Sequence, residues 1–340
     1  MWHPSSRRSL LAAAAFLGLA APGAGALAAG GPAYHVAGHI AGPDGGWDYA
    51  TFDPESRRIY VARGSAVMAV DADSGAVTPS VTSAVRAHSP VPLPGGRLLV
   101  TNGGSNTAVI VDARSGKALA TLPTGENPDG AIYDPKSGLA FVMAHAGGEV
   151  TFVDVARMAV TATFPVGSKL EFAAVDGAGR LWVNDEMTSE VIAVDIAGRK
   201  VLAHYKLDGC EGPTGLAYAP DADRLVASCD KVAAVIDPAS GRTVDKLKVG
   251  DGPDAVIYDP VRKRLLVPAG ESGELTVIDA SGPRLKVVQT VKTAIGARTG
   301  TVDPETGKVY LPTARMSPAA AGAKRPQPQS GTFELLVVAP

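Results

Sequence analysis

An acidic residue that closes an alternating apolar run returns along this chain at a nearly constant interval. It stands at Asp71, Asp112, Asp154, Asp195, Asp237 and Asp279, with spacings of 41, 42, 41, 42 and 42 residues. A seventh copy reads Leu335-Leu336-Val337-Val338-Ala339, with Ala in the acid slot. Each unit opens on a segment seen best in Pro128-Asp129-Gly130-Ala131-Ile132-Tyr133-Asp134-Pro135 and Pro253-Asp254-Ala255-Val256-Ile257-Tyr258-Asp259-Pro260. The turn that follows recurs as Asp53-Pro54-Glu55-Ser56, Asp134-Pro135-Lys136-Ser137-Gly138 and Asp303-Pro304-Glu305-Thr306-Gly307. A period in this range marks repeat architectures, because one unit alone cannot bury its apolar faces.

Four short runs fill each unit. In the third they are Gly130–Tyr133, Leu139–Met143, Glu149–Val153 and Ala159–Phe164, each bounded by turn residues. The chain holds 39 Gly and 26 Pro in 340 residues, so it turns often and long helices are not expected. Four strands in a repeat of ~40–45 residues is the arithmetic of a propeller blade. A linear stack would need polar capping ends, and neither end reads as one. The fold expected is therefore all-β: a seven-bladed β-propeller with four antiparallel strands per blade. The last unit carries an insertion, about 317–330, rich in Pro, Ala and Gly, which reads as a flexible loop. With about 16 extra residues set aside, 34–339 divides into units of about 41. That last unit lacks a fourth strand. Tyr34-His35-Val36-Ala37-Gly38-His39-Ile40 has the missing strand's pattern, so the N-terminal strand is expected to complete the last blade.

Composition bounds the rest. At 46% hydrophobic, the chain is not globally disordered. A net charge of −2 and 5% aromatic content supply neither a large basic field nor a stacking platform, which argues against nucleic acid as the main ligand. Two Cys exclude a disulfide-dense scaffold and a Cys₄ zinc site. Residues 1–29 read as an export signal: Arg7 and Arg8, an apolar run from Leu10 to Ala21, then Ala26-Leu27-Ala28 as a small-x-small cleavage site. Ser6-Arg7-Arg8-Ser9-Leu10-Leu11 has the paired arginines of a twin-arginine signal without its usual Phe and Lys. No other segment is apolar for the ~18 residues a membrane helix needs. The expected organisation is a signal at 1–29 and a single propeller domain at 30–340, a monomer in the periplasm or outside the cell.

The repeats resemble those of the YVTN-type seven-bladed β-propellers, the periplasmic YncE-like and surface-layer group, over about residues 34–339. The motifs specify fold well and chemistry poorly. Related propellers hold a d1-type haem in nitrite reductases, and similar ones act as lactonases or scaffold subunits, so the resemblance does not choose among functions.

Chemistry in such a fold is expected where first strands begin, at the mouth of the central channel. Aligning the units five residues before the Asp-Pro slot gives Asp48, Ser89, Asp129, Glu171, Thr214, Asp254 and Arg298, with His88 beside Ser89. The loops between second and third strands add Arg63, Asn102, His145, Asp185, Glu186, Asp230, Glu271 and Arg315 on the same face. Converging carboxylates raise one another's pKa or attract a cation. Oxygen-rich rings suit Ca²⁺ or Mg²⁺, and His88 and His145 would admit Zn²⁺ or Cu²⁺. The metal candidates are Asp48, Asp129, Glu171, Asp254 and His88. The recurring Asp also has a purely structural reading, as a cap on backbone N–H groups. Glu171, Arg298 and His88 depart from that habit. Trp47 precedes Asp48 and is a candidate ligand surface, whereas Trp182 sits in a second strand and reads as core. The strand-ending acids precede turns and read as structural. Cys210 and Cys229 fall in two loops of one unit on one face, which permits a disulfide in an oxidising compartment; paired metal-binding thiols are the rival.

The expected function is binding of a small molecule, a metal or a periplasmic or outer-membrane protein through the mouth face. The alternative is a lactonase-like hydrolase or lyase, with Glu171 or Asp129 as general base, His88 as proton carrier and Arg298 as charge stabiliser. A divalent cation is the candidate cofactor. No Gly-x-Ser-x-Gly elbow or His-Glu-x-x-His helix occurs, and the absence of Cys-x-x-Cys-His excludes covalent haem.

Overall fold

In the computed structural model, residues 33–317 and 326–340 are described; the expected export signal at 1–29 and the centre of the insertion lie outside the described residues. Every regular element among the described residues is a strand. The third unit holds Pro128–Asp134, Leu139–Ala144, Glu149–Asp154 and Ala159–Pro165, within two residues of the runs read from sequence. They pair antiparallel in chain order, as a meander. Second and third strands such as Leu139–Ala144 and Glu149–Asp154 are buried nearly throughout, because neighbouring sheets cover both their faces. Their near-continuous apolar sequence follows from that. Fourth strands alternate, as Lys200–Lys206 does, with one side in solvent.

Five sheets have four strands, and a sixth runs to seven. The seven-stranded sheet arises because Val77–Leu93 is one continuous strand of 17 residues. Its first half pairs with Gly64–Asp71 and its second half with Arg97–Asn102, so two repeat units share it. Thirteen residues past the strand-ending acid, other units carry Gly125, Gly167 and Gly250, where this unit has Ala84. A Cβ at Gly125 would stand 2.7 Å from the Ala144 Cβ, and one at Gly167 would stand 2.6 Å from Asp185 Oδ2. Those glycines let the chain leave one sheet against the next.

The first strands touch in succession. Ala50–Asp53 meets Val77–Leu93, which meets Pro128–Asp134; the contacts then pass to Leu170–Val175, Leu216–Ala219, Ile257–Asp259 and Thr301–Val302, and return to Ala50–Asp53. An apolar cluster fills each gap between successive sheets. One joins Phe141 and Phe152 to Leu181 and Ile192; another joins Ile59 and Met68, early in the chain, to Tyr310, Phe333 and Leu335 near its end. Trp182, fully buried, lies in the cluster that reaches Leu225 and Ile236, as its position in a second strand implied.

The two ends of the described chain pair directly. His35–Ala41 lies antiparallel to Glu334–Ala339, with His35 opposite Ala339 and Ala41 opposite Glu334. Gln289 clamps the entry, accepting from Tyr34 N at 2.9 Å and donating to Tyr34 O at 2.7 Å. The insertion expected to be loop throughout is pinned at its base. Met316–Ser317 pairs with Gln327–Pro328, and the Asp44 carboxylate accepts from Ser330 Oγ and Gly331 N.

The strand-ending acids are turn caps. Asp71 and Asp112 each accept from the backbone N–H groups two and three residues on, and Asp154 and Asp195 from the third. Cys210 and Cys229 form a disulfide, with Cα atoms 5.4 Å apart.

Candidate functional site

Antiparallel pairing puts the start of each first strand beside the end of the second, as Pro128 lies opposite Ala144 and Leu170 opposite Asp185. The contact circuit then brings those ends together. Asp48, Asp129, Glu171, Thr214, Asp254 and Arg298 all line one cavity of about 750 Å³, with His145, Glu186 and Glu271 from the adjoining loops. Side-chain bonds between units fix the rim: Thr299 Oγ1 donates to Asp48 O at 2.8 Å, Thr101 Oγ1 to Asp129 O at 2.8 Å and Thr214 Oγ1 to Pro253 O at 3.0 Å.

Within the wall, five side chains form a chain of contacts. His88 Nδ1 lies 2.6 Å from Asp48 Oδ2 and 3.6 Å from Asp129 Oδ1. The other oxygen, Asp129 Oδ2, lies 3.8 Å from His145 Nδ1, which is 2.9 Å from Glu171 Oε1. Beyond Glu171, Glu186 meets Lys169. On the opposite wall Arg298 Nε donates to Asp254 Oδ2 at 2.7 Å.

The electrostatics follow from crowding. Burial, with Asp48 and Asp254 adding to it, pushes the Asp129 carboxyl up to about 7 against the opposing pull of His88. Burial also raises Glu171 well above its ordinary range, helped by its hydrogen bond to Glu186 and the charge of Asp129. Glu186 shifts the other way: burial would raise it, but bonds from Glu171 and Lys169 outweigh that. Burial lowers His145, with Lys169 nearby adding to the effect, so its ring is neutral near pH 7. Burial acts likewise on His88, but the Asp48 bond and the Asp129 charge win and raise it. Tyr49 is driven far above the usual phenol range by burial and by the surrounding carboxylates.

Several rim candidates belong elsewhere. Trp47 is not a ligand surface: it is 8% exposed and packs on Phe333 with ring centroids 5.6 Å apart. Arg63 lies over the same Phe333 ring and donates to the Pro43, Gly45 and Gly46 carbonyls. Ser89 is buried in the wall, its hydroxyl aimed at Ala131 O, so its neighbour His88 faces the acids instead. Asn102 and Asp185 cap backbone N–H groups, and Asp230 and Arg315 are exposed outside the cavity lining. Tyr49 and Lys169 line the cavity and were missed. Each sits one or two residues from a slot residue, so a wider window around the repeat register is the signal that finds them.

No protein-family model and no curated protein sequence matches this chain. Solved structures do. A chain of the hydrazine synthase of Kuenenia stuttgartiensis superposes with a TM-score of 0.69 at 18% identity, covering 78% of this chain and 92% of that one. A chain of a mitotic checkpoint complex gives 0.72 at 16% identity, covering 95% and 98%. The structure of U3-55K gives 0.73 at 10% identity, covering 89% and 98%. At such identities the likeness is one of fold alone. The chain has an all-β, propeller-like fold of antiparallel four-stranded sheets.

Proposed function

We propose that this chain is an exported, seven-bladed β-propeller of the YVTN (YncE-like) type that binds a cationic ligand at its channel mouth. The blade count draws on the repeat spacing and on the closed circuit of first strands. Export draws on the composition of residues 1–29. One observation carries the binding reading: Asp48, Asp129, Glu171, Glu186, Asp254 and Glu271 line one cavity against only Lys169 and Arg298 as permanent cations. A site so charged holds protons or takes up a cation. Loops presented by a rigid scaffold are a common seat of recognition.

The test is thermal melting of the purified chain with divalent metal chlorides and small organic amines in turn. A ligand of the mouth raises the melting temperature of the wild type and not of Asp129→Asn. No shift with any of them overturns the reading. The lactonase-like alternative has one observation in its favour, the Asp129 carboxyl at about 7, where a general base is most effective. Lactone hydrolysis lost in Asp129→Asn would establish it.

A further inference from the structure

The cluster at the cavity wall is not a uniform ring of acids. It splits into two sets of three donors, Asp48, His88 and Asp129 on one side and Asp129, His145 and Glu171 on the other, and within each set the donor atoms lie within 4.8 Å of one another. Asp129 belongs to both, and it turns a different oxygen to each histidine, 3.6 Å on one side and 3.8 Å on the other. Donors bonded to one tetrahedral ion at ~2.0–2.2 Å stand roughly 3.3–3.6 Å apart; the two histidine–Asp129 gaps are close to that spacing, whereas His88–Asp48 at 2.6 Å and His145–Glu171 at 2.9 Å are contacts that an ion must open by about 1 Å or less. A carboxylate shared in this manner can bridge a pair of ions about 3.5–4 Å apart.

Resting on the cation-binding reading of the mouth, we propose that it holds two divalent transition-metal ions bridged by the Asp129 carboxylate. One takes Asp48, His88 Nδ1 and Asp129 Oδ1; the other takes Asp129 Oδ2, His145 Nδ1 and Glu171. Imidazole and carboxylate donors without thiolate suit Zn²⁺ and its first-row neighbours better than Ca²⁺, which prefers oxygen alone. Three protein ligands per ion leave an open position facing the cavity, as catalytic rather than structural metal sites have.

Two further observations fit this assignment. His145 Nδ1 is buried without a directed hydrogen bond, with Glu171 Oε1 2.9 Å away. Behind His88, the ring's other nitrogen and Asn127 Oδ1 are both buried and unpartnered. Both crowd one spot: a Cβ at Gly103 would meet His88 Nε2 at 2.7 Å and Asn127 Oδ1 at 2.5 Å. With Nδ1 on a metal, Nε2 must carry the proton, and a nearby amide oxygen is the acceptor a ligating histidine ordinarily has. Elsewhere the histidines behave differently. His39 and His204 each face a single carboxylate, Glu334 and Glu190, and are about half exposed.

The experiment is a zinc titration of the tag-free, disulfide-intact chain after chelator treatment, followed by calorimetry and by metal analysis after gel filtration. The wild type is expected to retain two zinc ions per chain. His88→Ala and His145→Ala should each retain one, Asp129→Ala should lose affinity at both positions by about 10–100-fold or more, and His204→Ala should retain two. Circular dichroism and a melting curve establish that each variant is folded. One zinc or none in the wild type overturns the proposal, as do two in folded His88→Ala and His145→Ala. If zinc fails while an organic amine still stabilises the wild type, the metal pair falls and the cationic mouth stands. If neither binds, both fall.

Discussion

Burial in the metal-free fold raises the Asp129 and Glu171 carboxyls, and this has a thermodynamic sign. A carboxyl raised in the folded state binds more protons there than in the unfolded chain, so its contribution is full below its ordinary pKa and fades as pH rises through the folded value. For Asp129 that window runs from 3.8 to about 7, and for Glu171 the loss continues into alkaline pH. The capping acids act oppositely: Asp303, lowered by Thr306 and Arg57 bonds that outweigh burial, loses its contribution as pH falls below 3.8. The metal-free melting temperature should therefore decline from about pH 5 to pH 8, by ~2 °C or more. Glu171→Gln should melt higher than the wild type at pH 8 and level with it at pH 5; a parallel pair of curves would contradict the buried-acid assignment. At this scale the repeat register pointed to Asp48, Asp129, Glu171, Thr214, Asp254 and Arg298, which line one cavity, whereas in the second unit Ser89 turns into the wall and its neighbour His88 faces the acids. The register misplaced Trp47, whose direction depends on Phe333 from the far end of the chain, a partner that no local pattern reveals.

Strands were legible wherever turns bounded them, since alternation and Asp-Pro turns act locally. The continuous Val77–Leu93 strand was not, because a break there depends on whether the chain must pass close to a neighbouring sheet. Two predictions belong to elements. Removing residues 33–41 strips Glu334–Ala339 of one of its two partners, leaving Val309–Thr313 on the other side, and exposes a sheet edge. The truncated chain should melt lower and aggregate in size-exclusion chromatography; a monomer with unchanged melting would refute the pairing of the ends. Replacing Cys229 by Ser opens a 19-residue loop and should cost about 3 kcal/mol in denaturant unfolding. Thiol titration of the unfolded, unreduced wild type should find no free thiol.

Across the whole molecule, closure does the work that no single unit can do. Residues separated by tens of positions, from Asp48 to Arg298, reach one cavity only because their sheets meet about a common centre. That centre was foreseeable from the period, and His88 and His145 were candidates at its mouth; their placement on either side of Asp129 was not legible, since it arises from contact between units. The most direct measurement is diffraction from zinc-loaded crystals at the zinc absorption edge. The expected map shows seven repeat units about one axis and two anomalous peaks at its mouth, one on each side of the Asp129 carboxylate. An open row of sheets, or a mouth without zinc in a fully loaded crystal, would contradict it.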